Sequence, residues 1–339
     1  MRFARLALAA VLLWPVAALA TETKYRAGFM AMEVAGDPAF PVGVWYLTRA
    51  NETTWTMGPY ILDAARDGAL APGRFPLIVL SHGSGADQFH HRVWTAYLAR
   101  HCFVVAAIKH AGDSLNDVDG RGSDIQLTGR LWQVKETLDA VLSDPRLKNA
   151  IDPNRIGMIG YSAGGYTTLT TIGGRPKYRL WGEHCKEHPE DDELCPADGS
   201  WVPPRITRPG WELPPPDPRM KAAVVMAPAG ILFDAEGLAG INIPLASIVP
   251  ATTISSAMCG TPTTSPLCLR TIRKVSTVPG DHFVFIAPYP AELAERFPES
   301  CTDADGVDRA AIHAQIGAEL VSFFDSALPP KAASALPSP

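Results

Sequence analysis

From Gly237 to Gly280 the sequence contains no Asp or Glu. The gap encloses ASIVPATTISSAMCGTPTTSPLCL, Ala246 to Leu269, which is uncharged and shows a period of neither two nor 3.6 residues. Positive charge is also scarce. The 30 Lys and Arg against 35 Asp and Glu give a net charge of −5, which leaves no basic footprint and excludes nucleic acid as a partner. Beyond the first residues no apolar run reaches the length of a membrane span, and there is no internal repeat or coiled-coil period. Hydrophobic content of 47% suffices for one large core, so 339 residues are consistent with a single α/β unit.

The N-terminus reads as an export signal, residues 1–20. Arg2 and Arg5 precede an apolar run from Leu6 to Leu13, and Ala18-Leu19-Ala20 is a small-x-small cleavage site. Pro15 breaks the run, which argues against a retained anchor and for a mature protein without a membrane anchor, in the periplasm or outside the cell. Export permits disulfides. Cys185 and Cys195, in EHCKEHPEDDELC, are close enough to close a small loop. His184, Cys185, His188 and Cys195 match no standard zinc spacing, so neither a metal nor any other cofactor is expected. Cys102 reads as a buried strand thiol, with pairing to Cys301 as the alternative.

Strand and helix patterns alternate along residues 21–328, which defines an α/β class with a mostly parallel sheet. AGFMAMEV and PVGVWYLT read as two early strands. FPLIVL, FVVAAI, RIGMIGYS and KAAVVMAP are continuous apolar runs, as strands covered on both faces require. Further strands are expected from INIPL and in KVSTVPG. Leu127, Leu131, Val134, Leu138, Val141 and Leu142 mark a helix between Asp124 and Pro145, AGGYTTLTTI a second, and Ile312 to Phe324 a C-terminal third. About Lys177 to Arg219 this alternation stops. That insertion carries Trp181, Trp201 and Trp211 and is either a solvated excursion or a lid beside a site. The tail, 329–339, reads as disordered.

GYSAGGY fits G-x-S-x-G through Gly160, Ser162 and Gly164, and it joins a buried strand to a helix. A sharp turn there pushes a serine hydroxyl into the open beside the positive end of the helix dipole, as a nucleophile needs. SHGSGA follows another buried strand. Its glycines let the backbone aim an N–H at a carbonyl oxygen, so the oxyanion donors are expected from Ser84 and Ala163. His82 is expected to shape that loop. The base is expected after the nucleophile, and His282 in VPGDHFVF stands at a strand end after a Pro-Gly turn. Of the other late histidines, His184 and His188 fall in the cysteine loop and His313 within a helix.

SHGSGA, GYSAGGY and VPGDHFVF, with an insertion after the nucleophile helix, resemble secreted bacterial dienelactone hydrolase-like α/β-hydrolases. They also look like platelet-activating factor acetylhydrolases. The resemblance covers about Ala27 to Leu328. It implies an eight-stranded α/β-hydrolase sheet and hydrolysis of small carboxylic esters, short acyl or aromatic, with lactones within the class. Dienelactone hydrolases usually carry a Cys nucleophile, so Ser162 moves this chain toward esterases. Oligomeric state is not readable from these motifs.

The same resemblance implies a carboxylate after one of two late strands. After KAAVVMAP, where the acetylhydrolases have their Asp, stands Ala227, and after the next strand lies the acid-free run. Asp234, in AGILFDAEGL, is the nearest surviving carboxylate, either as the acid or as an ordinary cap, and Asp281 is adjacent to the base. A triad without its acid loses about four orders of magnitude in rate, so a hydrolase-fold ligand binder is the alternative to a working esterase.

Reading the gene one nucleotide earlier over Ala246 to about Lys274 gives each new codon the preceding third base and the written codon's first two. Compatible codons then allow R-L-Y-R-A-G-D-D-N-Q-L-R-H-V-W-N-A-D-H-L-A-A-L-P-P-D-D-P-E, running into VSTVPGDHF. Its G-D-D turn places carboxylates where Thr252 and Thr253 are written, and Met258 before Cys259 forces a Val in that frame. A natural divergent loop is the other reading. A frame slip requires poor packing of the written stretch and compensating single-base changes near Leu245 and Lys274 when the gene is resequenced. Peptides of the written frame in a mass spectrum establish the divergent loop instead.

Overall fold

The apolar runs form the strands they predict, and each run fills two layers at once. In the strand Phe75–Ser81, Leu77 and Val79 pack to one side of the sheet while Ile78 and Leu80 pack to the other, all fully buried. This alternation within an unbroken apolar sequence is what a sheet sandwiched between helices demands. The computed structural model describes residues 24–191, 194–195, 204–208, 212–251 and 272–330.

The strands are β1 (Arg26–Val34), β2 (Phe40–Thr48), β3 (Thr53–Met57), β4 (Tyr60–Arg66), β5 (Phe75–Ser81), β6 (Val104–Ile108), β7 (Ile151–Tyr161), β8 (Met220–Met226), β9 (Leu245–Pro250) and β10 (Ile272–Val278). They form one sheet in the order β10-β9-β8-β7-β5-β6-β2-β1-β4-β3. From β6 to β10 every neighbouring pair is parallel, while β2 runs antiparallel to both β1 and β6. The helices include α1 (Arg92–Arg100), α2 (Arg130–Ser143), α3 (Ala163–Thr171) and α4 (Arg179–Glu187). Leu131, Val134 and Leu138 of α2 and Leu169 of α3 join the core on one face of the sheet; Trp94 and Leu98 of α1 and Ile316, Leu320 and Phe324 of the C-terminal helix, Arg309–Ala327, join the core on the other.

Among the described residues ten strands stand where eight were expected. The additional pair is the hairpin β3–β4, turned at Gly58 (φ +55°) and attached to β1 through Gly28↔Ala65 and Phe29↔Arg66. The alternating TTWTM carries the signal for β3, and Leu62 and Ala64 of β4 are buried.

Two further expectations are corrected. Cys102 is not a buried strand thiol: it lies in the turn between α1 and β6 at φ +71°, exposed, and neither it nor Cys301 is disulfide-bonded. The helical run does begin at Asp124, whose carboxylate accepts from the Thr207 and Arg208 amides at 2.8 and 2.9 Å and ties the insertion to the body. The written Ala246–Pro250 is also well packed. It forms most of β9, paired with β8 and β10, and Ala246 and Ile248 are buried in the layer under the C-terminal helix. At that end poor packing does not occur, and Ile272–Lys274 likewise begin a strand. The rest of that stretch, 252–271, lies outside the described residues, as do the leader 1–20, Trp201, Trp211 and the tail from 331.

Cys185 and Cys195 are disulfide-bonded, with Cα atoms 5.3 Å apart. His184 pairs with Asp191 (2.7 Å) and His188 with Glu190 (3.1 Å), and the two imidazoles lie against each other with centroids 4.9 Å apart. No helix among the described residues is long and apolar enough to cross a membrane.

Candidate active site

Ser162 sits in the turn from β7 into α3 with φ +54° and ψ −118°, a conformation that side-chain-bearing residues rarely adopt. The turn closes because its neighbours are glycines. A Cβ on Gly160 would run into the Gly164 carbonyl, and one on Gly164 into the Ser81 carbonyl at the end of β5. The adjacent strand holds the turn from the other side: the Ser162 amide donates to Met226 O (3.0 Å), and the Ala229 amide donates to Ser162 O (3.1 Å).

His282 opens a short 3₁₀ turn, His282–Phe285, beyond β10, and its Nε2 lies 3.0 Å from Ser162 Oγ. The ring packs against Tyr161, centroids 5.0 Å apart, and Tyr161 donates its hydroxyl hydrogen to His282 O at 2.9 Å. Burial pushes the His282 imidazole down to about 4, and the charge of Asp191 acts weakly in the opposite sense. His282 is therefore neutral at physiological pH, the state in which Nε2 accepts a proton.

Ser84 and Ala163 border the same cavity as Ser162. The loop carrying Ser84 rests on a buried network absent from the motif reading. Asp113 Oδ1 accepts from Ser84 Oγ (2.8 Å) and the Gly85 amide (3.0 Å); its Oδ2 accepts from Gln126 Nε2 (2.8 Å) and Arg130 Nη1 (3.0 Å). Arg130 and Asp113 are both fully buried, and Arg130 also donates to His82 O. Burial lowers the Arg130 guanidinium to about 10, against the attraction of Asp113, which still leaves it charged. His82 does shape the loop. Its Nδ1 is bonded to Gly83 O (2.6 Å) and its Nε2 accepts the His110 amide (3.1 Å), while burial and then Arg130 hold it well below the ordinary histidine value. A signal for Arg130 existed in the sequence: it lies three residues after Leu127 and four before Val134, a cation on the apolar face of a helix.

Asp234 is not brought to His282. It caps the short helix Ala235–Leu238, accepting the Gly237 amide at 2.8 Å, and pairs with Lys177 Nζ at 2.7 Å. Asp281 accepts the Phe283 amide at 2.9 Å. The insertion does reach the site, since Trp181 of α4 and Leu194 line the cavity beside Ser162.

Sheet order and the strained serine turn define an α/β-hydrolase. A solved ferulic acid esterase from Streptomyces cinnamoneus shares the fold, with a TM-score of 0.57 and 18% identity over 96% of both chains. Residues 44–117 match the family described as platelet-activating factor acetylhydrolase, isoform II. The platelet-activating factor acetylhydrolase of Canis lupus familiaris is 25% identical over 185 residues, 39% of this chain and 42% of that enzyme, so the match spans less than half of the relative. A dienelactone hydrolase from Anabaena variabilis aligns over 89% of this chain and 99% of its own, at 12% identity and a TM-score of 0.48.

Arg130→Leu leaves the buried Asp113 carboxylate with only the half-exposed Arg121 guanidinium, 3.5 Å away, and should lower the unfolding free energy by about 3–5 kcal/mol, measured from urea transitions. A loss below about 1 kcal/mol would show that the pair does not hold the loop.

Proposed function

We propose that the chain is an exported serine esterase cleaving small carboxylic esters through an acyl-enzyme on Ser162. The observation that carries this reading is the strained Ser162 with its hydroxyl 3.0 Å from His282 Nε2. His282 takes the Ser162 proton as Oγ attacks the ester carbonyl, and the amides of Ser84 and Ala163 receive the oxyanion. The imidazolium then protonates the departing alkoxide. Water, activated by the same nitrogen, hydrolyses the acyl-serine and restores both side chains. Similarity to the acetylhydrolases supports ester hydrolysis, and the leader pattern with the Cys185–Cys195 bond supports export. Trp181 and Leu194 beside Ser162 support the lid reading of the insertion.

A second reading, a ligand binder with little turnover, is favoured by the acid-free sequence from Gly237 to Gly280 and by the pairing of Asp234 with Lys177. An active-site-directed fluorophosphonate separates the two. The esterase labels stoichiometrically at Ser162, and Ser162→Ala loses both labelling and hydrolysis of p-nitrophenyl esters without loss of fold. Retention of more than about a thousandth of the rate in Ser162→Ala sinks the nucleophile assignment.

The pH profile tests the base. Protonation of His282 removes the acceptor for the serine proton, so kcat/KM falls as pH drops through the imidazole's value. With that value near 4, the acid limb should lie well below the ordinary histidine value of 6.5, followed by a plateau through neutrality. An acid limb at or above pH 7, measured where circular dichroism stays native, contradicts the buried, neutral imidazole.

A further inference from the structure

Two cavities border Ser162, sharing Ser84 and Arg121, and only one of them also reaches His282. One, of about 380 Å³, is walled by Leu127, Tyr166, Trp181, Ala229, Ile231 and Leu232. The other, of about 310 Å³, is bordered by His282 and by His90, Tyr289, Glu299 and Ser300. Both fall within the size range of small-molecule sites, roughly 300–1,000 Å³. Carbon makes up most of both walls, but the second is the more polar: its His90, Tyr289, Glu299 and Ser300 stand among Phe283, Ile286 and Phe297.

Proton transfer decides which half of an ester each can take. The proton that His282 accepts from Ser162 must pass to the leaving alkoxide, so the alkoxide oxygen must come within about 2.6–3.2 Å of Nε2. The alcohol half therefore lies on the His282 side of the serine. The acyl half, attached to the carbonyl carbon under attack, is then left the cavity that borders Ser162 without reaching His282.

The alcohol-side cavity has a built polar wall. Asp87 and His90 are buried against each other, with Oδ1 and Nδ1 3.1 Å apart, and the side chains are 8% and 3% exposed. His90 Nε2 is bonded to the hydroxyl of Tyr289, which is half-buried at the cavity edge. Burial, then the Asp87 charge, hold the Tyr289 phenol above its ordinary value, so it keeps its proton at neutral pH. A hydroxyl fixed by a buried Asp–His pair is a positioned hydrogen-bonding group for a polar ligand.

We infer that the substrate is an ester joining an apolar acyl group to a hydroxylated alcohol, the acyl half against Trp181, Ile231 and Leu232 and the alcohol half hydrogen-bonded to Tyr289. This rests on the Ser162–His282 reading above.

The test uses the intact protein and two ester series, one varying the acyl group on p-nitrophenol, the other comparing ethyl and glyceryl esters of one acid. Tyr289→Phe should lower kcat/KM for the glyceryl ester relative to the ethyl ester by about two- to tenfold, the worth of one hydrogen bond. It should do so through acylation, because the acyl-enzyme common to both esters no longer contains the alcohol. Ile231→Trp should discriminate against phenylpropanoyl relative to acetyl esters by about tenfold or more and slow deacylation of the larger acyl group. If Ile231→Trp does not fold, Trp181→Leu supplies the opposite arm, with bulky acyl esters gaining relative to acetyl. Crossed effects, with Tyr289→Phe altering acyl preference or the cavity variants altering alcohol preference, overturn the assignment, and so does the absence of any shift. Fluorophosphonate labelling of the wild type keeps the two levels apart. A labelled Ser162 with unsplit selectivity removes this inference alone; an unlabelled one removes the esterase reading and this inference with it.

Discussion

The rest of the site depends on one steric constraint, the close approach of two backbones at Ser162. β7 can hand over to α3 only if Gly160 and Gly164 leave room for each other and for the end of β5. That approach forces Ser162 to positive φ and aims its hydroxyl away from the core. It also fixes the distance between the serine turn and the Ser84 loop, since the carbonyl crowding Gly164 belongs to Ser81, three residues before Ser84. The strain is sustained because β8 and the segment after it hold the turn by two hydrogen bonds to Ser162.

Beneath the Ser84 loop lies a buried charge pair of a different character. A salt bridge inside a protein is weak evidence of stability, because desolvation offsets much of the attraction. What Asp113 and Arg130 provide is direction: four donors converge on one carboxylate, and two of them, Ser84 Oγ and the Gly85 amide, belong to the loop itself. With His82 hydrogen-bonded on both ring nitrogens, the loop has little freedom to re-aim its amides. Rigid donors stabilise a developing charge without reorganising at the moment of reaction.

Ser162 and His282 were legible in the sequence because each stands at a strand end with turn chemistry beside it, and a parallel sheet gathers strand ends on one edge. The central strands were legible for the related reason that burial on both faces leaves unbroken apolar runs. Asp113 and Tyr289 were not found, since each acts through partners distant in sequence and no local period marks such a meeting; Arg130 was overlooked although its place on the apolar face of a helix marked it. The β3–β4 hairpin was missed because a half-exposed edge carries a weak apolar signal. Of the two readings of Asp234, acid or cap, the cap is the one observed, and a lysine 57 residues earlier claims the rest of its carboxylate.

The disulfide has a consequence for the cavity. Trp181 donates its indole hydrogen to Leu194 O at 2.7 Å, both residues face the space beside Ser162, and Cys185 and Cys195 close the loop between them. One wall of the cavity is thus a packed surface tied by a covalent hoop. In a reducing compartment the same chain would keep its serine, its histidine and its sheet but lose the brace on that wall. The breadth of molecules it admits is then a property conferred by oxidation, after the fold is complete.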